Sequence, residues 1–124
     1  MSEMTVYQAV GGTPFFEALI ERFYDRVATD VLLRPLYPED LTDSRDHMVK
    51  FLQQYWGGPT TYSEERGHPR LRMRHAPFVI TNAEATAWLG HMVAAVEAGD
   101  LPEELENQMI DYFTMSTTHM INAM

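Results

Sequence analysis

Residues 66–78 read RGHPRLRMRHAPF. Arg66, Arg70, Arg72 and Arg74 are four of the nine Lys and Arg residues in a chain whose formal net charge is −9. His68 and His75 are two of its five histidines. His75 stands two residues before Pro77, so a short helix over about 70–75, carrying the basic cluster, is expected to end near it. An imidazole at a helix end is commonly a surface or capping group, and a run of arginines is commonly a solvated face. The competing reading is a metal ligand, because neutral imidazole binds iron and zinc well. Zinc is hard to assemble from this chain, which has no cysteine, no HExxH and no acid–histidine cluster at ligand spacing. One histidine alone can hold a haem iron, since the porphyrin supplies the equatorial ligands. Guanidinium groups close to it in sequence suit the haem propionates, with which they form charge-assisted, often bidentate bonds.

The remaining sequence limits the setting. A chain of 124 residues is expected to form one domain, residues 1–124, large enough for a core and a modest internal cavity. Its apolar share of 45% is that of a globular protein. No long apolar run marks a membrane span, and MSEMTVYQ lacks the basic-then-apolar pattern of a signal peptide. A cytoplasmic protein is expected. The acidic balance argues against nucleic acid and against anionic membranes as partners, and a lone basic patch does little to reverse that.

The hydrophobic periodicity is helical throughout. Thr13-Pro14 reads as a cap followed by proline, after which Phe16, Leu19, Ile20, Phe23, Tyr24 and Val27 share one face. Pro35 and Pro38 bracket Leu36-Tyr37 in a tight, buried corner. A second helix is expected from Thr42 or Asp43, with the stripe Met48, Phe51, Leu52, Tyr55 and Trp56, ending at Gly57-Gly58-Pro59. Residues 57–69 read as an extended loop, and loops of that length tend to be functional. Thr81 to Glu84 has the form of a capping box, and Gly99 suits the stop of that helix. Asp100-Leu101-Pro102-Glu103 offers the next cap, before a stripe of Leu105, Met109, Tyr112, Phe113 and Met120. No strand-period segment competes. The fold is all-α, two long helices before the loop and two after it.

These stripes supply an apolar wall from Phe23, Tyr24, the Leu36-Tyr37 corner, Met48, Phe51 and Trp88. Each alone is ordinary core. Tyr24, Tyr37 and Trp88 nevertheless carry polar ends that need partners when buried, and such donors in a dry pocket can hold a partly negative diatomic ligand.

Four segments together resemble the group II truncated haemoglobins, the bacterial haemoglobin-O-like class. They are FxxLIERFYDRV (16–27), LYPED (36–40), FLQQYWGGPTTYSEERGHPRLRMRHAPFVI (51–80) and AWLGHM (87–92). The resemblance spans about Tyr7 to Asn122, and the block from Tyr55 to Phe78 is its most specific part. It implies a two-over-two α-helical sandwich around haem b, with a much shortened first helix and an extended segment before the proximal histidine. By position, His75 matches the proximal iron ligand, Tyr24 and Trp88 the distal residues that stabilise ligand, and Tyr37 the corner residue beside them. Ser44 falls at the distal gate, and Met48 stands where leucine is common among relatives. Phe51, Leu52, Tyr55, Met73, Phe78 and Met92 are expected to line the pocket. Arg72 and Tyr62 lead as propionate contacts, followed by Arg66, His68 and Arg70. His47 is expected outward or at the haem rim, and His91 and His119 at the surface or an interface.

The resemblance implies reversible binding of O2, CO and NO at a pentacoordinate haem. Three donors predict slow release. Oxidation of NO or turnover of peroxide would need electrons from a separate reductase, because the chain contains no GxGxxG. A homodimer is a further expectation. The alternative of another class is a haem-free acidic helical module that binds a protein through Met-rich faces.

Overall fold

The computed structural model describes residues 4–123. The first three residues, where the stretch read for a leader begins, and Met124 lie outside the described residues. The elements are α1 (Val6–Ala9), α2 (Thr13–Val27), α3 (Thr42–Tyr55), α4 (Thr61–Arg66), α5 (Leu71–His75), α6 (Asn82–Glu97) and α7 (Glu103–Met120). A 3-10 turn, Arg34–Leu36, forms the corner at Pro35 and Pro38. No strand occurs among the described residues.

The six-residue stripe of α2 is the axis of the core. Phe16, Leu19, Ile20, Phe23, Tyr24 and Val27 are all buried, each such side chain contributing about 1.5–3 kcal/mol. They meet Leu52 and Trp56 from the α3 end, Met92, Ala95 and Val96 from α6, and Met109 and Phe113 from α7. α2 packs on both α3 and α6, and α6 packs on α7, giving the two-over-two sandwich. Arg22 fastens α2 to α6 by donating Nε and Nη2 to the Ala95 carbonyl at 3.1 and 2.9 Å.

Several boundaries differ from the sequence expectation. Thr13 is the first helical residue rather than the cap; Gly12 takes the cap position. The Thr13 hydroxyl instead donates to Gln53 Oε1 at 2.8 Å and accepts from the Tyr7 hydroxyl at 2.7 Å, satisfying the buried Gln53. The segment expected as an extended loop, 57–69, contains α4. That helix is pinned to α3 by Gln54, which donates Nε2 to Ser63 Oγ (2.7 Å) and accepts from Ser63 N (3.0 Å). Asp100 does not cap α7; Pro102 holds the cap position, and Asp100 sits in the left-handed region at φ +52. The Leu36-Tyr37 corner is half-buried rather than buried, while Leu33 before it is buried in the core.

Gly57 and Gly58 follow α3 for a steric reason, to which Gly57 adds a conformational one at φ +95. A Cβ on Gly57 would lie 2.8 Å from the Thr5 side chain, and one on Gly58 would lie 2.5 Å from the Tyr7 ring. The short α1 is thereby laid against the end of α3, and Tyr7 N donates to the Trp56 carbonyl at 2.9 Å.

Candidate functional site

Between these layers lies a cavity of about 400 Å³. That size lies within the range of pockets for small molecules and cofactors. α2 contributes Tyr24; the corner contributes Leu33, Leu36, Tyr37 and Pro38; α3 contributes Ser44, His47, Met48, Phe51 and Leu52. α4 and α5 contribute Tyr62, Arg66, Leu71, Arg74 and His75, followed by Phe78 and Ile80. Glu84, Ala85 and Trp88 of α6 and a face of α7 from Tyr112 to Met120 complete the wall.

The short α5 sorts its side chains by helical spacing. Leu71, Arg74 and His75 stand at positions i, i+3 and i+4 and share the cavity face, while Arg72 and Met73 are exposed on the other. His75 Nδ1 lies 2.7 Å from the Leu71 carbonyl oxygen. A carbonyl only accepts, so Nδ1 carries the proton in that bond and the neutral ring keeps its lone pair on Nε2. This is how metal-binding imidazoles are oriented. The segment after α5 is held by Asn122, whose Nδ2 donates to the Phe78 carbonyl (2.9 Å) and the His75 carbonyl (3.4 Å), and whose Oδ1 accepts from Ile80 N (2.9 Å).

The polar ends in the cavity form a second group. Trp88 Nε1 donates to the Tyr37 hydroxyl at 3.2 Å. Tyr24 packs edge-on against Tyr37, with ring centroids 5.6 Å apart, and makes a long 3.5 Å contact from its hydroxyl to the Ser44 carbonyl. Burial pushes the Tyr24 phenol far above its ordinary value, the neighbouring Tyr37 adds to the rise, and Arg45 opposes it. Burial likewise raises Tyr37, against the lowering effect of its bond from Trp88. Both phenols are therefore neutral O–H groups at physiological pH, able to donate.

Arg66 and Arg74 are exposed yet touch the cavity, which places them at its mouth. Both guanidinium groups lie near the face of the Tyr62 ring, at 5.9 and 6.0 Å from its centroid. Arg66 donates to His47 Nε2 at 3.2 Å, and Arg74 Nε donates to the Pro69 carbonyl at 2.7 Å.

Of the residues singled out from sequence, Tyr24, Tyr37, Ser44, Met48, Phe51, Leu52, Tyr62, Arg66, His75, Phe78 and Trp88 are on this wall. Phe23, Tyr55, His68, Arg72, Met73 and Met92 are not. Phe23 is fully buried behind the wall, its ring 5.0 Å from both Tyr24 and Trp88. Tyr55 is half exposed and stacks on Tyr112 instead, at 4.1 Å between centroids. Met92 lies one turn past Trp88, wholly in the core. His68 sits in the exposed bend before α5, its Nδ1 accepting from Arg70 N at 3.2 Å. Arg74, Leu71 and the α7 face were not singled out for the pocket, and His47, expected outward or at the haem rim, is on the wall. For Arg74 the signal was available, since it precedes His75 directly and lies three residues from Leu71.

A largely apolar cavity, one imidazole with a free ring nitrogen on its wall and two guanidinium groups at its mouth fit an iron porphyrin with two carboxylates. The comparisons agree. The bacterial-like globin pattern matches residues 5–122. Group 2 truncated hemoglobin YjbI of Bacillus subtilis is 42% identical over 116 residues, covering 94% of this chain and 87% of that protein. The crystal structure of a thermostable hemoglobin from Thermobifida fusca superposes with a TM-score of 0.94 at 52% identity, covering 96% of this chain and 98% of that one. A structure described as truncated oxygen-avid haemoglobin from Bacillus subtilis gives a TM-score of 0.91 at 41% identity, covering 96% and 100%. The chain belongs to the bacterial-like globins, as a truncated haemoglobin of group II. Membership implies a haem cofactor and the binding of diatomic gas.

Proposed function

We propose that this chain binds O2 reversibly, and CO and NO likewise, at a pentacoordinate haem b, and that it releases O2 slowly. The observation that carries the reading is the His75 imidazole on the cavity wall, its Nδ1 proton committed to the Leu71 carbonyl. Haem, when bound, supplies the iron to which the gas adds. The chain supplies the rest. His75 offers Nε2 to the iron, while the Nε2 of His47, the other histidine on the wall, is occupied by Arg66. Arg66, Arg74, His47 and Tyr62 stand where carboxylates at the cavity mouth would be paired.

Tyr24 and Tyr37 have their hydroxyl protons inside the cavity, with Trp88 donating to the Tyr37 oxygen beside them, in surroundings where water competes poorly for them. Donors of this kind slow the escape of a polar ligand. The oxygen-avid relative from Bacillus subtilis supports the same direction. Redox use of the site, with NO oxidised to nitrate or peroxide turned over, draws its electrons from a separate reductase. Cytoplasmic residence suits such a partner.

Absorbance spectra of the ferric, ferrous and oxygenated forms test the reading, followed by autoxidation and NO-reaction rates. A Soret band in protein supplied with haem, lost or altered in His75→Ala, is the expected result. No Soret band, or normal ligation in His75→Ala, sinks it. Rapid catalytic NO consumption would assign the redox role, and slow, stable oxygenation would assign binding or sensing.

A further inference from the structure

His91 was expected at the surface or in an interface, and the structure gives it more to do. Its ring bridges two elements. His91 Nε2 lies 2.6 Å from Asp30 Oδ2, and Arg26 Nε donates to His91 Nδ1 at 3.1 Å. Because Nδ1 accepts, the ring proton sits on Nε2 and is given to the carboxylate. The pair is largely enclosed, with the His91 and Asp30 side chains only 18% and 17% exposed.

Asp30 is also the anchor of the corner that leads to Tyr37. Its other oxygen, Oδ1, accepts from Leu32 N at 2.8 Å and from Leu33 N at 3.2 Å. Its backbone carbonyl accepts from Arg34 N at 2.9 Å. Arg34 then reaches forward, donating Nη1 to the Pro38 carbonyl (2.9 Å) and more weakly to that of Tyr37 (3.4 Å). The corner is thus braced from Asp30 to Pro38. It is tied to α6 at both ends, by Asp30 to His91 and by Tyr37 to Trp88. Trp88 and His91 are three residues apart, so they emerge from one face of α6, a turn from each other.

We propose that His91 and Asp30 are positioning residues for the Tyr37–Trp88 pair. The His91–Asp30 bond fixes the near end of the corner against α6, and that fixes where the Tyr37 hydroxyl meets the indole N–H in the cavity. Neither His91 nor Asp30 is on the cavity wall, so neither acts on ligand directly. The inference rests on the oxygen-binding reading for its effect on ligand, but not for the geometry itself.

Two measurements on the full chain separate those parts. In the haem-free protein, hydrogen exchange of the Trp88 indole N–H, identified by its loss in Trp88→Phe, reports the bond to Tyr37. Exchange should quicken in His91→Ala and in Asp30→Asn, and stay near the parent rate in His91→Gln, whose amide can still donate to Asp30. In the haem-loaded protein, O2 dissociation should change on the order of two- to tenfold in His91→Ala, the range for one net hydrogen bond. The C–O stretching band with CO as the ligand should move or split in the same variant. An unchanged indole in both His91→Ala and Asp30→Asn overturns the proposal. So does an indole that responds while O2 release and the C–O band change only in Trp88→Phe. If Trp88→Phe also leaves release unchanged, it is the slow-release part of the oxygen-binding reading that fails, and the indole exchange still judges the brace. Should His91→Ala fail to fold, His91→Gln and Asp30→Asn carry the test, one preserving the bond and the other weakening it.

Discussion

The Trp88 indole N–H is bonded to the Tyr37 hydroxyl at 3.2 Å, across 51 residues of sequence. Trp88 therefore spends its one donor on Tyr37, whose own proton is left available to the cavity. The two side chains form a relay rather than two independent donors.

This coupling sets the first prediction. Trp88→Phe should speed O2 dissociation by roughly tenfold, the equivalent of losing about 1.4 kcal/mol of hydrogen bonding. Tyr37→Phe should do the same, and the double variant should fall well short of the product of the two. Stopped-flow displacement of O2 by CO measures all three. Fully multiplicative effects would show that the two residues act separately.

A second prediction separates the arginines. Arg66→Ala and Arg74→Ala remove cations from the cavity mouth, whereas Arg72→Ala removes one from the outer face of α5. Haem transfer to an acceptor globin should quicken roughly two- to tenfold in each of the first two, partly exposed pairs being modest in strength. Arg72→Ala should stay near the parent rate.

His75→Ala should abolish the five-coordinate ferrous spectrum. Added imidazole should restore it, because the cavity left by the side chain has the shape of that ring. Failure of imidazole to restore the spectrum, with haem still bound, would point to a different iron ligand.

Asp30 gives stability a pH dependence of definite sign. The bond from His91, then those from the Leu32 and Leu33 amides, hold its carboxyl below the ordinary 3.8. A carboxyl lowered on folding stabilises the fold above its ordinary value, and that contribution is lost as the pH falls through the lowered one. Asp30→Asn should therefore lower the midpoint of denaturant unfolding at pH 7, and the gap to the parent should narrow below about pH 4. A gap that is constant from pH 7 to pH 3 would contradict this.

Thr81 and Glu84 form a reciprocal cap on α6, Glu84 Oε1 accepting from Thr81 N at 2.7 Å while Thr81 Oγ1 accepts from Ala83 N at 3.2 Å. Thr81→Ala should cost about 1 kcal/mol, or roughly 3–6 °C in Tm. Because Glu84 and Ala85 also line the cavity, the haem-free protein is the form in which to measure it.

The long helices were legible because burial recurs along them at the helical period, and α2 is the clearest case, with all six residues of its stripe buried. Short elements offer too few turns for periodicity. α4, six residues long, was read as loop for that reason, since the bonds that hold it come from Gln54 on α3. A much shortened first helix was implied by the resemblance alone; its place at α1 was not read from the residues, although Thr5 and Gln8 have the spacing of a capping box, which the structure forms. On α5, the resemblance favoured Arg72 as an edge contact, but helical geometry turns Arg74 to the cavity and Arg72 away. The links made by His91 and Asn122 were invisible for another reason. Each joins residues 42 or more positions apart, and one sequence holds no record of which distant polar groups will meet.

The Asn122 clasp bears on the order in which the molecule is assembled. The bond from Ile80 N to Asn122 Oδ1 closes 42 residues of chain, and α6 and α7 lie between its ends. Such a closure follows the docking of those two helices, because their contacts bring the ends together. The fastening of the segment around His75 therefore depends on how α6 and α7 are docked, so a substitution far from His75 that loosens those two helices loosens the proximal wall as well.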